Sequence, residues 1–141
     1  MATRLNPYLN FAGTAREAMQ FYESVFGGTL TVMTFGDAGA EGVPDPDQVM
    51  HAMLETPTGF TLMASDLPPG MDLQPGNAIT ISLSGDDVEA LRGWWSALSA
   101  DGSVTMPMEL QMWGDEFGAC TDRFGVSWMV DIATAPAAAP A

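Results

Sequence analysis

The sequence predicts an α+β fold built from two tandem βαβββ modules, and three observations carry that prediction. First, Gly59-Phe60-Thr61-Leu62-Met63-Ala64-Ser65 returns sixty-six residues later as Gly125-Val126-Ser127-Trp128-Met129-Val130-Asp131: glycine, apolar residue, hydroxyl, large apolar residue, methionine. Second, a shift of seventy-two residues aligns Leu9 with Ile81, Gly13 with Gly85, Glu17 with Glu89, Ala18 with Ala90 and Ser24 with Ser96. Third, the segments around these matches alternate with the periods of strand and helix, in the same order in both halves.

In chain order, Leu5, Leu9 and Phe11 alternate with Asn6, Tyr8 and Asn10, so Leu5–Phe11 reads as a strand ended by Gly13. Thr14 and Glu17 have the spacing of a capping box. Ala15, Ala18, Met19, Tyr22, Val25 and Phe26 then form the apolar face of a helix that Gly27-Gly28 stops. Thr29–Phe35 is the second strand, and the Gly-, Asp- and Pro-rich segment Gly36–Asp47 reads as a solvated loop. Gln48–Glu55 and Phe60–Ser65 complete module one, residues 4–66. Residues 67–76, with three prolines and two glycines, form the linker.

Module two, residues 77–132, repeats the plan. Ile79, Ile81 and Leu83 alternate with Ala78, Thr80 and Ser82, and Asp86 with Glu89 forms the second capping box. Val88, Leu91, Trp95 and Leu98 make the helix stripe, Asp101-Gly102 stops it, and Val104–Met112 is the next strand. Phe117–Thr121 and Val126–Ile132 form the closing hairpin, with Gly125 supplying the positive φ of its turn. The Ala/Pro-rich residues 133–141 read as a disordered tail. Paired sheets, each with a helix on its outer face, would leave a concave cavity between them.

At 141 residues and 47% hydrophobic, the chain is long enough for one domain with a substantial core. A net charge of −14, with four Lys+Arg against eighteen Asp+Glu, disfavours nucleic acid and anionic membrane surfaces as partners. Without a membrane-length apolar run or a signal-like N-terminus, a cytoplasmic location is the expectation. The single Cys120 sits in an apolar strand, and a buried structural thiol is favoured over a nucleophile. Neighbours on a helix lie about 100° apart. Trp94 and Trp95 therefore cannot both face the core, which places one of them at a subunit contact.

The motifs Pro7-Tyr8-Leu9-Asn10-Phe11, Phe21-Tyr22 with Val25-Phe26-Gly27-Gly28, Met50-His51-Ala52 and Leu62-Met63-Ala64-Ser65-Asp66 resemble the vicinal oxygen chelate superfamily. So do Gln111, Trp113-Gly114-Asp115, Phe117-Gly118 and Asp122-Arg123-Phe124-Gly125-Val126 with Trp128. This is the superfamily of glyoxalases, bleomycin-resistance proteins and dioxygenases, and the similarity points to its PhnB-like branch over residues 4 to 132. Some PhnB-like proteins carry a demethylubiquinone methyltransferase label, but no glycine-rich loop follows a strand here to seat a methyl donor.

The resemblance implies a divalent ion on the concave face, held by His, Glu or Gln from the first and fourth strands of each module. The matching positions here are Asn6–Tyr8, Met63, Ala78–Thr80 and Met129, none of them His or Glu. Thioether, amide and hydroxyl groups are poor ligands for hard or borderline cations, so no cofactor is expected, with a divalent metal as the alternative. Strand parity turns Thr61, Met63, Ser65, Ser127, Met129 and Asp131 toward the cavity.

The only histidine, His51, shares a strand face with Met53 and Glu55, and Met50, Ala52 and Leu54 take the core face. His51 with Glu55 could serve as a catalytic acid–base pair, or His51 could be a hydrogen-bonded wall residue, which is the favoured reading. Trp113 reads equally as a stacking surface or as core. The leading expectation is a homodimeric, metal-free protein that binds a small, moderately apolar molecule through Tyr8, Asn10, His51, Met63, Thr80, Gln111, Trp113 and Met129. The alternatives are a lyase or dioxygenase-type enzyme using His51 and Glu55, and a scaffold whose cavity is filled by its own side chains.

Overall fold

A computed structural model describes residues 3–42, 44–68 and 70–133. Of the predicted tail, residues 133–141, all but Ala133 lie outside them, and Ala133 N donates to the Gly85 carbonyl at 2.8 Å. The chain divides between Gln74 and Pro75 into two compact units.

In the first unit, β1 (Tyr8–Phe11), α1 (Ala15–Phe26), β2 (Thr29–Thr34), β3 (Val49–Glu55) and β4 (Thr61–Asp66) follow one another. The sheet order is β1-β4-β3-β2, with β1 parallel to β4 and the remaining pairs antiparallel. In the second unit, β5 (Ile81–Gly85), α2 (Val88–Ser99), β6 (Ser103–Leu110), β7 (Glu116–Thr121) and β8 (Ser127–Ile132) form a sheet ordered β5-β8-β7-β6. Each unit is thus a four-stranded mixed sheet carrying one helix, the βαβββ pattern of the tandem repeat.

The core of the first unit lies under α1. Ala15, Ala18, Met19, Tyr22 and Phe26 pack against Phe11, Val49, Ala52, Leu54, Leu62 and Ala64, all buried. In the second unit Leu91 and Leu98 of α2 meet Leu83, Cys120, Trp128, Val130 and Ile132. Trp94 and Trp95 are both half-buried. The indole edge of Trp95 lies over Gly118, at 2.9 Å from where a Cβ would stand. A side chain at that position would displace the ring.

Where each helix hands over to its next strand, the backbone passes very close to the end of a neighbouring strand. A Cβ on Gly28 would collide with the Glu55 carbonyl, and a Cβ on Gly102 with the Thr121 carbonyl. Both contacts are with backbone, which cannot swing away, so the two repeats require glycine at equivalent places.

Several element ends differ from the sequence expectation. β1 begins at Tyr8 and not at Leu5, because Pro7 has no N–H to extend the ladder, and Leu5 is fully exposed. β5 begins at Ile81, whose partner Trp128 lies next to the first residue of β8. Ile79 therefore falls short of the ladder and is 83% exposed.

The seventy-two-residue alignment also shifts in three dimensions. Tyr8 pairs with Met63 and Ser82 pairs with Met129, so the counterpart of Tyr8 is Ser82 and not Thr80. Gly85 closes β5 opposite Ile132, the place that Phe11 occupies opposite Asp66, so Gly13 and Gly85 are not equivalent.

Neither capping box forms. Thr14 makes no side-chain bond to α1; the Asp66 carboxylate instead accepts from Gly13 N (2.9 Å) and Ala15 N (3.0 Å). In α2 the cap is Asp87, one residue later than expected, accepting from Ala90 N at 3.2 Å. Finally, the β2–β3 pairing slips between Met33/Thr34, so that Val49 and not Met50 takes the buried place at the start of β3.

Candidate functional site

The helix-free face of the first sheet is set by strand parity. Leu62 and Ala64 point under α1, which leaves Thr61, Met63 and Ser65 half-buried on the opposite side. Register then assembles the face row by row. Tyr8, Met63, Met53 and Thr31 stand side by side, with Asn10 beside Ser65 in the next row and His51 beside Met33.

The Tyr8 hydroxyl reaches across β4 to His51 Nδ1 at 3.1 Å, and the two rings tilt together with centroids 5.7 Å apart. This joins two of the sequence-selected residues, with Met63 between them in the sheet. The alternative His51–Glu55 acid–base pair does not form, and His51 is hydrogen-bonded to another side chain. Four residues along a strand separate the two by about 13 Å, with Met53 between them on that face, and the imidazole's partner is a phenol.

At the far end of the same face, a groove of about 440 Å³ runs between the lead-in to β1 and the β3–β4 hairpin. Arg4, Asn6, Glu55, Thr56, Phe60 and Thr61 line it. The Pro7 carbonyl accepts from Met63 N at 3.1 Å and ties the lead-in to β4. The hairpin is held by Thr56, whose hydroxyl accepts from Phe60 N at 3.0 Å. Asp122 does the same job in the second unit, accepting from Phe124 N, Val126 N and the Trp128 indole at 2.8–3.1 Å.

In the second unit, Met129 lies between Ser82 and Ala119 on the helix-free face, and Asp131 lies between Ser84 and Phe117. Thr80 is exposed outside β5. Trp113 is 57% exposed and meets Phe117 edge to face at 6.0 Å. The Gln111 side chain turns back on its own strand, donating to the Glu109 carbonyl at 3.1 Å. Asp131 is held above the usual carboxylate range by burial, and then by the neighbouring Asp115 carboxyl; the Trp113 indole works in the opposite direction.

The implied divalent ion does not fit these donors. Opposite one another in the first and fourth strands stand Tyr8 with Met63 and Ser82 with Met129: a phenol, a hydroxyl and two thioethers. None is an anionic or imidazole ligand, so nothing there offsets the cost of stripping water from a divalent cation. Among the described residues no three His, Cys, Asp or Glu side chains converge elsewhere either.

Sequence reasoning missed the groove residue Arg4, the helix-capping role of Asp66 and the hairpin-holding role of Asp122, and it assigned Asn6 to the concave face without the groove. Asp66 and Asp122 carried a usable signal, since each is an acid abutting an otherwise apolar strand. Arg4 carried none, because its neighbours are distant in sequence.

Comparison with known proteins places this geometry. The chain is 31% identical over 140 residues to Protein YjdN of Escherichia coli, covering 91% of this chain and 94% of that protein. It is also similar to the crystal structure of protein PA1353 from Pseudomonas aeruginosa (39% identity, TM-score 0.81, 93% and 98% of the two chains). A PhnB protein from Bacillus cereus matches with 26% identity and a TM-score of 0.71, over 93% and 100% of the chains. The glyoxalase/bleomycin resistance protein/dioxygenase family model matches residues 4–130, and the chain belongs to that superfamily.

Proposed function

We propose that this protein is a PhnB-like binder of a small, moderately apolar molecule that works without the superfamily's divalent ion. The observation that carries the reading is the Tyr8–His51 pair, set among Met33, Met53 and Met63 on a face that α1 does not cover. Thioethers supply adaptable apolar contact, and an imidazole already bonded through Nδ1 has Nε2 left for a polar group of the ligand. Asn10 adds an amide to the same face.

The same pair supports a second reading, a lyase in which His51 moves a proton. In both readings the protein acts as a homodimer. β6 is an edge strand with Val104, Met106 and Leu110 exposed, a surface that a second copy would cover.

The test combines two measurements on untagged protein. Native mass spectrometry before and after organic extraction reads any copurifying small molecule. Dialysis against Zn²⁺, Ni²⁺, Mn²⁺ and Fe²⁺, followed by metal analysis and melting, reads ion binding. An extractable ligand with substoichiometric metal supports the binder. A stoichiometric ion that raises the melting temperature and is lost in His51→Ala favours a metal enzyme. No ligand, no ion and no stabilisation by any compound points to a scaffold.

A further inference from the structure

Arg4 and Glu55 line one groove of the first unit and carry opposite charges, yet they form no ion pair with each other. Among the described residues Arg92 and Arg123 each hold a carboxylate, Glu116 at 2.9 Å and Asp101 at 3.7 Å. Arg4 and Arg16 have none, although the chain's net charge is −14 and carboxylates are plentiful, and of these two only Arg4 lines the groove. Two exposed, opposite charges that share a groove without closing on each other leave room for a molecule carrying both signs.

We propose that this groove binds a zwitterion, an α-amino-acid head group with an apolar side chain. Its carboxylate meets the Arg4 guanidinium, whose planar fork matches two oxygens. Its ammonium meets Glu55, and the Asn6 amide and Thr61 hydroxyl complete the polar lining. The side chain lies on Phe60, a ring left 38% exposed. A volume of about 440 Å³ suits a ligand of that size.

Charge selects this class over its neighbours. A simple anion gains Arg4 but is repelled by Glu55 and by the chain as a whole, and a simple cation gains Glu55 but meets Arg4. A zwitterion satisfies both groups at no net charge. The site shares no residue with the Tyr8–His51–Met63 set and stands whether or not that face binds a ligand.

The experiment is an amide NMR titration of the full chain with L-phenylalanine, with L-phenylalaninamide (ammonium only) and N-acetyl-L-phenylalanine (carboxylate only) as probes. Saturable shifts at Asn6, Thr56, Gly59 and Thr61 are expected with phenylalanine, and roughly tenfold weaker binding of either blocked compound, the equivalent of 1.4 kcal/mol. Arg4→Ala and Glu55→Gln, both at exposed positions, should each weaken phenylalanine binding similarly. Absence of saturable shifts, equal binding of the three compounds, or shifts gathered at His51, Met53 and Met63 in place of the groove would each overturn the proposal. The last outcome would credit the binding to the Tyr8–His51 face.

Discussion

The phenol of Tyr8, on the edge strand β1, bonds to the imidazole of His51 two strands away, over the backbone of β4. If the hydroxyl donates to Nδ1, the ring is held as the Nε2–H tautomer, with that N–H facing a ligand acceptor. Because His51 is the only histidine, its ring nitrogens give one unambiguous pair of ¹⁵N signals. We expect the Nε2–H form to dominate in the native protein and the tautomer populations to mix in Tyr8→Phe. Stability should fall by no more than about 1 kcal/mol, as befits an exposed hydrogen bond. An unchanged ¹⁵N pattern in the variant would show that Tyr8 does not orient the ring.

Asp66 ties three parts of the first unit together. One oxygen accepts from Gly13 N and Ala15 N at the start of α1, and the other accepts from Val49 N at 2.9 Å at the start of β3. The side chain is 2% exposed, so its removal leaves buried donors without an acceptor. Asp66→Ala should cost roughly 3–5 kcal/mol in urea unfolding, more than a typical surface cap. Asp66→Asn keeps one acceptor oxygen and should cost less. A loss below 1 kcal/mol for the alanine variant would mean that water replaces the carboxylate.

Burial, and then the neighbouring Asp115 carboxyl, raise Asp131 in the second unit. A carboxyl raised on folding gives stability that is full below its unfolded pKa and fades as pH rises through the folded value. Replacing Asp115 by Asn removes the like charge, so Asp131 should titrate lower. The variant should melt higher than wild type at neutral pH, with the gap closing in acid below the ordinary carboxylate range. Melting curves across that range decide it: a gap that does not change with pH would rule out the charge mechanism.

Burial pushes the Cys120 thiol up to about 11, with the Asp122 charge adding to the shift. Native protein at neutral pH should therefore resist thiol reagents and react promptly once unfolded. The sign for stability follows from linkage. The unfolded thiol ionises near its ordinary value while the folded one does not, so this stability is lost as pH rises from about 9 to about 11. Cys120→Ala should flatten that part of the pH–stability curve. Fast labelling of the native protein would show the thiol to be accessible.

The sequence by itself determined the architecture. Two runs of glycine, hydroxyl and methionine, two amphipathic helices and strict strand alternation are local signals, and each survives in the structure as β4 and β8, α1 and α2, and the buried alternate residues of both sheets. Met63 and Met129 could be placed opposite the helices because a strand has only two faces. Only the tertiary structure decided how rows of different strands meet. Register across β1, β4 and β3 brought Tyr8 to His51. A slip in β2–β3 pairing moved Val49 into the core, and Pro7 shortened β1. Asp66 replaced the expected Thr14 cap from more than fifty residues away in sequence, a substitution no local pattern encodes. Strand periodicity is a property of single segments, whereas register, capping across elements and the charges that share a groove depend on which segments the folded chain makes neighbours.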